Sequence, residues 1–218
     1  MLNLGIPTTP QTPLRILCLG AHSDDIEIGC GGTIATLLQQ YAQVHIRWVV
    51  FSASHLRESE ARVSAAAFLK PALESEVIVH HFRDGYFPDD HGAIKEQFEA
   101  LKRSFNPDLV FTHYREDRHQ DHRVVSNLTW NTFRNHLILE YEIPKYDGDL
   151  GQPNVFVPIE ESICQQKVDC LLTCFTSQCE KPWFDEQTFR ALLRLRGMEA
   201  NSPTKMAEAF YGRKLCLR

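Results

Sequence analysis

Short apolar segments alternate with amphipathic segments along most of this 218-residue chain. Residues 14–20, 44–51, 77–79 and 109–112 are apolar, and the stretches between them carry apolar residues at helical spacing. Continuous apolar runs are typical of strands that are buried on both faces of a parallel sheet. Strands that alternate with helices predict a mostly parallel sheet joined by right-handed crossovers. We therefore expect an α/β, Rossmann-like three-layer sandwich.

The same patterns set the expected order of elements and the domain organisation. The predicted helices span residues 33–41, 57–69, 93–104, 122–133, 160–174 and 185–197. Further strands are predicted over residues 137–143 and 213–217, and residues 155–157 are short and apolar within an irregular region. Residues 1–13 contain three prolines and three threonines, so we expect a leader arm there. Because no Gly/Ser-rich or Pro-rich linker divides residues 14–218, we expect them to form one domain.

Composition narrows the class of protein further. The formal net charge is −5, whereas nucleic-acid binding requires a basic surface, so we expect no nucleic-acid partner. No segment approaches the roughly 18 consecutive apolar residues of a membrane span. The amino terminus lacks the basic and apolar regions of a signal peptide, and we expect a cytoplasmic protein.

The seven cysteines form an odd number, which suits reduced thiols better than a disulfide framework. Cys170, Cys174 and Cys179 invite a metal-binding interpretation, but their spacing differs from that of the common zinc knuckles. We therefore expect these three side chains to pack in the core.

Two clusters of histidine and aspartate follow two of the predicted strands. Residues 22–25 come directly after the strand 14–20, and residues 119–122 follow the strand 109–112. In an open α/β sheet the carboxyl ends of the strands form one crevice, where the clusters are expected to meet. A lone His-x-x-Asp is more often a turn or a helix cap. Two such clusters together would be a costly set of buried charges unless a cation is bound.

The residue types in these clusters select a metal site. His22 and Asp25 lie in a sharp strand-to-helix turn and can converge on one cation, and His122 can supply a third ligand. A His/Asp/His set with open positions suits Zn²⁺, although other divalent metals remain possible. Such a site polarises a carbonyl group and activates water.

Three neighbouring side chains are candidates for acid–base chemistry. Asp24 adjoins the predicted ligands and is the expected general base. His119 shares a helix face with His122 and is expected to stabilise an oxyanion or to donate a proton. Asp121 is expected to fix the tautomer of His119 or to raise its basicity.

Three glycines, Gly29, Gly31 and Gly32, follow the first cluster. Their order differs from that of GxGxxG and of a P-loop, so a phosphate-binding loop is disfavoured. We expect them to allow close backbone packing of the turn that precedes the first helix.

These residues carry a resemblance to a known family. The segment 21–34, AHSDDIEIGCGGTI, resembles AHPDDxExxxGGT, the signature of the PIG-L/LmbE-like zinc-dependent N-deacetylases. Residues 119–122, HQDH, resemble the HxDH element of that family, and the similarity spans about residues 14–130. The resemblance implies an LmbE-like fold with zinc on His22, Asp25 and His122.

The resemblance also implies roles for residues around the metal. Asp24 corresponds to the base of the family and His119 to the residue that stabilises the transition state. Arg57 and Asp84 match positions that contact the hydroxyls of an amino sugar in relatives, although each could instead form a surface salt bridge.

The chain departs from the family pattern at two positions. Ser23 replaces the usual proline, which removes a constraint on φ but keeps every predicted catalytic side chain. Asp117 stands where some relatives have a tyrosine that assists the oxyanion, and Tyr114 is a weak candidate for that role.

The predicted function is a zinc-dependent hydrolase that removes an N-acetyl group from an amino sugar or from a nucleotide-, lipid- or thiol-linked conjugate of one. One alternative is an amidase that acts on a thiol-sugar conjugate or an antibiotic intermediate. Another is a metal-stabilised sugar-binding protein without turnover. A substrate-facing loop is expected at residues 145–157, and relatives suggest a homo-oligomer.

Overall fold

The computed structural model describes residues 4–6 and 12–216. Most of the predicted leader arm, residues 1–3 and 7–11, lies outside the described residues. Within the described part, the backbone N–H of Ile6 donates a hydrogen bond of 3.2 Å to the hydroxyl of Tyr41. No helix among the described residues is both long enough and apolar enough to cross a membrane.

The elements of the structure alternate along the chain as expected. The strands are β1 (Leu14–Gly20), β2 (Val44–Val50), β3 (Glu74–Val79), β4 (Leu109–His113), β5 (Leu137–Tyr141), β6 (Val155–Pro158) and β7 (Ala207–Gly212). The helices are α1 (Asp25–Gln40), α2 (His55–Leu69), α3 (His91–Ser104), α4 (Gln120–Thr132), α5 (Glu161–Cys174) and α6 (Glu186–Glu199), and a short 3-10 helix spans Thr176–Gln178.

The strands form one seven-stranded sheet in the order β3-β2-β1-β4-β5-β7-β6. Strands β1 to β5 are parallel, whereas β7 runs antiparallel to both β5 and β6. The chain reverses its direction of travel across the sheet between β1 and β4, which is the position where open α/β sheets bind ligands. Cys18 in β1 pairs with Phe111 in β4, so both strands end at the same level.

Helices cover both faces of the sheet, and the prediction of a mostly parallel three-layer α/β fold is confirmed. On one face α1, α2, α5 and α6 bury a cluster in which the rings of Trp48 and Phe68 stack 6.2 Å apart. On the other face α3 and α4 bury a second cluster, in which Phe51 and Phe98 stack at 5.1 Å. Burial of large apolar side chains on both faces supplies the main driving force for this arrangement.

Helix α1 begins eight residues earlier than predicted, at Asp25 rather than at residue 33. The three glycines therefore lie inside the helix and not in the turn before it. A Cβ atom at Gly29 would lie 2.2 Å from the ring of Tyr141, and one at Gly31 would lie 3.1 Å from the ring of Phe68. The glycines do serve close packing, but between the helix and its neighbours.

The last strand also differs from the prediction. Ala207–Gly212 is one continuous strand, and residues 213–216 do not form the further strand expected at 213–217. Gly212 pairs with Leu139 of β5, so β7 extends two residues beyond Phe210, where its pairing with β6 ends. Residue 217 lies outside the described residues.

The cysteines of α5 lie where core packing was expected. Cys170 is buried and its sulfur lies 3.3 Å from the hydroxyl of Ser64, while Cys174 is half-buried. Cys179 is exposed, so the expectation of core packing is wrong for this residue.

Candidate active site

The turn between β1 and α1 holds the first predicted cluster. Asp25 begins α1, and its carboxylate accepts a hydrogen bond of 2.6 Å from the backbone N–H of His22. Asp24 caps the helix through its carbonyl, which accepts from the N–H of Ile28 at 3.0 Å. The Asp24 carboxylate therefore does not cap the helix and is available for other contacts.

The loop between β4 and α4 holds the second cluster. His119 is the N-cap of α4, and its Nδ1 accepts a hydrogen bond of 3.3 Å from the backbone N–H of Asp121. His122 lies in the first turn of α4 and is buried. Because β1 and β4 are neighbours that end at one level, the two clusters face each other across one crevice.

The three predicted metal ligands come together at this crevice. Nδ1 of His22 lies 3.2 Å from Nε2 of His122 and 3.4 Å from Oδ2 of Asp25. Nε2 of His122 lies 3.6 Å from Oδ1 of Asp25. Tetrahedral zinc with bonds of about 2.0–2.1 Å separates its ligand atoms by about 3.3–3.4 Å. Each pair of these side chains therefore has a chemistry and a spacing that suit a shared divalent metal, with Oδ2 of Asp25 nearest His22 and Oδ1 nearest His122.

Other histidines and aspartates surround the same point. Three groups offer one ligand atom per residue with all of these atoms within 4.8 Å of one another: His22 with His119 and His122, Asp25 with His113 and His122, and His22 with Asp84, His119 and Asp121. Borderline metals such as Zn²⁺ accept imidazole and carboxylate ligands in these combinations. The cluster thus contains more ligand atoms than a single cation binds, so some of these side chains stay free for catalysis.

Two carboxylates orient the two predicted imidazole ligands from outside. Asp117 accepts a hydrogen bond of 2.9 Å from Nδ1–H of His122, which leaves Nε2 unprotonated and facing the other ligands. Asp121 lies 3.2 Å from Nε2 of His22, which directs Nδ1 of that ring inward. Outer contacts of this kind fix the tautomer and the orientation of metal-binding histidines. Burial alone would raise the pKa of Asp117, but the His122 hydrogen bond and the charge of Lys145 hold it well below its usual range.

Asp121 contacts His22 and His119 through different groups. Its carboxylate accepts from the backbone N–H groups of Gly85 and Phe87, at 2.6 and 3.1 Å, and contacts His22. Only its backbone N–H reaches His119. The Asp121 carboxylate therefore orients His22. The backbone N–H of Asp121 bonds to Nδ1 of His119, and the Asp121 charge opposes the burial that lowers the pKa of His119.

The protonation states of the three histidines depend on their burial and on the carboxylates beside them. Burial, reinforced by the adjacent ring of His113, lowers the pKa of His122 to about 3, so this imidazole is neutral. Burial also lowers the pKa of His119. Burial alone would lower the pKa of His22, but hydrogen bonds to carboxylates, Asp121 foremost, raise it well above its ordinary value. A cation among these carboxylates would take the place of the His22 proton.

The predicted base lies beside a predicted substrate contact. Oδ1 of Asp24 accepts a hydrogen bond of 2.6 Å from the guanidinium of Arg57, and both side chains are largely buried. Arg57 sits in the first turn of α2, whose N-cap Ser54 accepts from the Arg57 backbone N–H. The ion pair keeps the Asp24 carboxylate in one orientation at the edge of the cluster.

Asp84, the second predicted substrate contact, is the most exposed carboxylate of the group. Its side chain is 62% exposed, and Oδ1 lies 3.1 Å from Nε2 of His22. This hydrogen bond lowers the pKa of Asp84 to about 2, so the side chain is ionised. Asp84 thus presents a charged oxygen to solvent at the mouth of the site.

The structure places a further histidine, His113, in the cluster. His113 is fully buried, its ring stacks on that of His122 at 3.9 Å, and Nε2 lies 3.2 Å from Oδ2 of Asp25. The hydroxyl of Tyr141 lies 3.2 Å from the same nitrogen. His113 is the last residue of β4, and its place at a strand end was the signal that could have identified it.

Tyr114 is engaged elsewhere. Its ring stacks on that of Tyr211 with centroids 3.9 Å apart, beside Gly151. The suggestion that Tyr114 substitutes for an oxyanion-binding tyrosine has no contact with the histidine cluster to support it among the described residues.

Comparison with known proteins identifies relatives of the chain. The family model described as PIG-L: GlcNAc-PI de-N-acetylase matches residues 17–133. The uncharacterized deacetylase YaiS of Escherichia coli K12 is 30% identical over 172 residues, which cover 72% of this chain and 88% of YaiS. The region that the family model matches contains both clusters.

Solved structures share the fold. The N,N'-diacetylchitobiose deacetylase of Pyrococcus horikoshii superposes with a TM-score of 0.68 at 20% identity, covering 91% of this chain and 83% of its own. The 4-carboxy-2-hydroxymuconate hydratase GalB of Pseudomonas putida KT2440 superposes with a TM-score of 0.70 at 17% identity, covering 94% and 98%. Because these two proteins differ in activity, the shared fold alone does not assign a reaction.

Proposed function

The chain belongs to the PIG-L: GlcNAc-PI de-N-acetylase family, and from this premise we propose that it removes an N-acetyl group from an amino sugar by metal-dependent hydrolysis. The convergence of one carboxylate and two imidazoles, with ligand atoms 3.2–3.6 Å apart, is the observation that carries this proposal. His22, Asp25 and His122 would hold the metal, and Zn²⁺ is the metal that we propose. When bound, such a metal acts as a Lewis acid on the amide carbonyl and lowers the pKa of water.

Asp24 is the proposed general base. Its carboxylate is adjacent in sequence to the proposed ligand Asp25, and Arg57 fixes its orientation through the 2.6 Å contact. A carboxylate held at the edge of the cluster can accept the proton of the attacking water and deliver it to the leaving nitrogen. The amine product and acetate then balance the reaction.

His119 is the proposed oxyanion-stabilising residue. Because its Nδ1 accepts from a backbone N–H, the neutral ring carries its proton on Nε2. Burial favours this neutral form by lowering the pKa of His119. The Nε2–H group can therefore donate a hydrogen bond to the oxygen on which negative charge develops.

Arg57 and Asp84 are the proposed contacts to the sugar. The exposed carboxylate of Asp84 at the mouth of the site is suited to accept hydrogen bonds from sugar hydroxyls. Arg57 borders the same region and is already committed to Asp24, so we propose that it links substrate binding to the base.

Two other functions lead to different measurements. An amidase for a bulkier conjugate would turn over that conjugate and leave simple N-acetyl sugars unchanged. A non-catalytic sugar-binding protein would bind metal and sugar without releasing acetate. The orientation of Asp24 and His119 around the cluster favours hydrolysis over binding alone.

The test is release of acetate from N,N'-diacetylchitobiose and N-acetylglucosamine by protein loaded with Zn²⁺, with a chelator-treated sample beside it. Asp24→Asn is expected to lower turnover by about 10²–10⁴-fold while the bound metal stays stoichiometric. Asp108→Asn is the matched control, because Asp108 is exposed and contacts the start of β1 through the Arg15 N–H. Full turnover by the Asp24→Asn protein would rule out its role as base.

A further inference from the structure

A buried carboxylate outside the proposed ligand set joins the cluster to a distant loop. Asp117 lies between β4 and α4 and is only 2% exposed. Its Oδ1 accepts a hydrogen bond of 2.8 Å from the N–H of His119. Its Oδ2 accepts from Nδ1–H of His122 and from the ammonium of Lys145, both at 2.9 Å. One carboxylate thus contacts both functional histidines and a lysine 28 residues away.

Lys145 continues this network into the segment 144–151, which follows β5. Its side chain is only 10% exposed, and its ammonium lies 2.6 Å from a carboxylate oxygen of Asp149. Asp149 also accepts a hydrogen bond of 2.6 Å from the backbone N–H of Arg118, which lies in the same loop as Asp117. Lys145 and Asp149 therefore attach the segment to the β4–α4 loop on both sides of residues 146–148.

The far end of the segment is anchored separately. The N–H of Gly151 donates to the hydroxyl of Tyr211 at 3.0 Å, and its carbonyl accepts from Arg196 at 3.1 Å. Between the two anchors, Tyr146, Asp147 and Gly148 are exposed. The position of this exposed tip relative to the cluster thus depends on the pair of Lys145 and Asp149.

We propose that Asp117 and Lys145 are positioning residues that couple the orientation of His122 to the placement of the segment 144–151. The inference rests on the proposed function only in taking His122 as a metal ligand. The hydrogen bond from Nδ1–H to Asp117 holds Nε2 toward the other ligands. A cation on Nε2 would make the Nδ1–H group a stronger donor to Oδ2 of Asp117, which is the same oxygen that accepts from Lys145.

Such coupling is reciprocal. If binding of the metal stabilises the anchored segment, then the anchored segment must increase affinity for the metal by the same factor. Loss of the Lys145 charge is therefore expected to weaken metal binding even though Lys145 contacts none of the proposed ligands. A purely structural lysine would change stability without this linkage.

The first measurement is affinity for Zn²⁺, obtained by competition with a chromophoric chelator. Asp117→Asn is expected to weaken binding about 10–100-fold, as outer-sphere substitutions commonly do. Lys145→Met is expected to weaken it about fivefold, at the lower end of usual coupling. Lys95→Met is the matched control, because Lys95 and Glu99 form an i,i+4 pair like Lys145 and Asp149 but lie on α3.

The second measurement is the rate of chymotrypsin cleavage after Tyr146, which is 75% exposed, with the cleavage site read by mass spectrometry. Zn²⁺ is expected to slow this cleavage in the natural protein and to have no effect in Lys145→Met. Lys145→Arg is expected to restore the effect of Zn²⁺ because it returns the charge. KM is expected to rise in Lys145→Met with kcat nearly unchanged.

The outcomes separate this proposal from the function. Equal Zn²⁺ affinity and equal Zn²⁺-dependent protection in Lys145→Met and the natural protein would overturn the coupling, even if the enzyme deacetylates. A natural protein that binds Zn²⁺ and shows the coupling but releases no acetate would overturn the function instead. If Asp117→Asn does not fold, the Lys145 variants decide the matter alone.

Discussion

Two buried clusters of charged residues in this protein differ in how their carboxylates are paired. Around β5 and β7, each buried carboxylate has its own cation: Glu208 contacts Lys167 at 2.6 Å, and Glu142 contacts Arg196 at 2.7 Å. In the candidate active site, the carboxylate of Asp25 contacts histidines and a backbone N–H, with no arginine or lysine partner among the described residues. In the first cluster the chain itself supplies a cationic side chain for each of these carboxylates, whereas the second cluster is short of positive charge.

This difference separates structural charge from functional charge. A buried ion pair that is satisfied by its own partners requires nothing from outside. A buried carboxylate whose partners are imidazoles, and not an arginine or a lysine, is costly unless a proton on one of those rings or a metal supplies the missing charge. The comparison therefore predicts that substitutions in the two clusters have opposite consequences for stability and for metal binding.

Asp25→Asn provides the largest expected effect. We expect loss of stoichiometric metal and a fall in hydrolysis on the order of 10³-fold or more, because a ligand to the Lewis acid is removed. The free energy of unfolding of the metal-free protein is expected to change by less than about 1 kcal/mol, since asparagine can still accept from the His22 N–H. Metal analysis and denaturant unfolding of the same samples provide the measurements.

A strong loss of stability in the metal-free Asp25→Asn protein would contradict the comparison. It would mean that the Asp25 charge is already compensated within the folded chain. Asp108→Asn is again the control, and it should leave both metal content and hydrolysis unchanged.

Lys167→Met tests the other cluster. Lys167 and Glu208 are each 3% exposed, so removal of the lysine leaves a buried carboxylate without its cation. We expect a loss of about 3–5 kcal/mol in the free energy of unfolding, with unchanged affinity for metal in the folded protein. Urea unfolding and chelator competition measure the two quantities.

The double substitution Lys167→Met with Glu208→Gln sharpens this result. Removing both charges is expected to recover part of the stability, because the cost comes from the unpaired carboxylate. A weaker metal affinity in Lys167→Met, comparable to that of Asp25→Asn, would show that the two clusters are not independent.

The sequence was sufficient to predict the fold class and the meeting of the two clusters. Apolar strands in alternation with helices specify a parallel sheet, and the strand ends specify the crevice. The boundaries of α1 were not predictable, because its low-propensity glycines imitate a turn. Their helical conformation is supported by residues far along the chain: Glu208 accepts from the N–H groups of Gly32 and Thr33, and Lys167 donates to the carbonyl of Ile28.

The outer contacts of the site were missed for a similar reason. No local pattern relates Lys145 to Asp117 or Asp121 to His22, because each pair is brought together by the strand order. The departure of Asp117 from the family pattern was visible in the sequence. Its actual partners required the three-dimensional structure.

Gly29→Ala probes the boundary between the core and the candidate site. The added Cβ would lie 2.2 Å from the ring of Tyr141, whose hydroxyl contacts His113. We expect a loss of about 1–3 kcal/mol from overpacking, together with a smaller decrease in hydrolysis. Gly92→Ala is the control: a Cβ there meets no atom within 4 Å, and stability should stay equal or rise.

Ser23→Pro gives the smallest expected effect. It tests whether the conformation of the turn between β1 and α1 depends on the surrounding charges or on the backbone of Ser23 itself. Ser23 is fully buried, and its hydroxyl has no hydrogen-bond partner among the described residues. Proline removes this hydroxyl and restricts the unfolded chain, so we expect a gain of about 0.4–1 kcal/mol with hydrolysis within about twofold of the natural protein.

Ser23→Ala separates the two causes, because it removes the hydroxyl without restricting φ. A gain in both variants assigns the effect to the unsatisfied hydroxyl, and a gain in the proline variant alone assigns it to the unfolded chain. A marked loss of hydrolysis in Ser23→Pro but not in Ser23→Ala would show that the turn holds a backbone conformation that proline cannot adopt. In that case the geometry around His22 and Asp25 would depend on the serine backbone as much as on the charges that surround it.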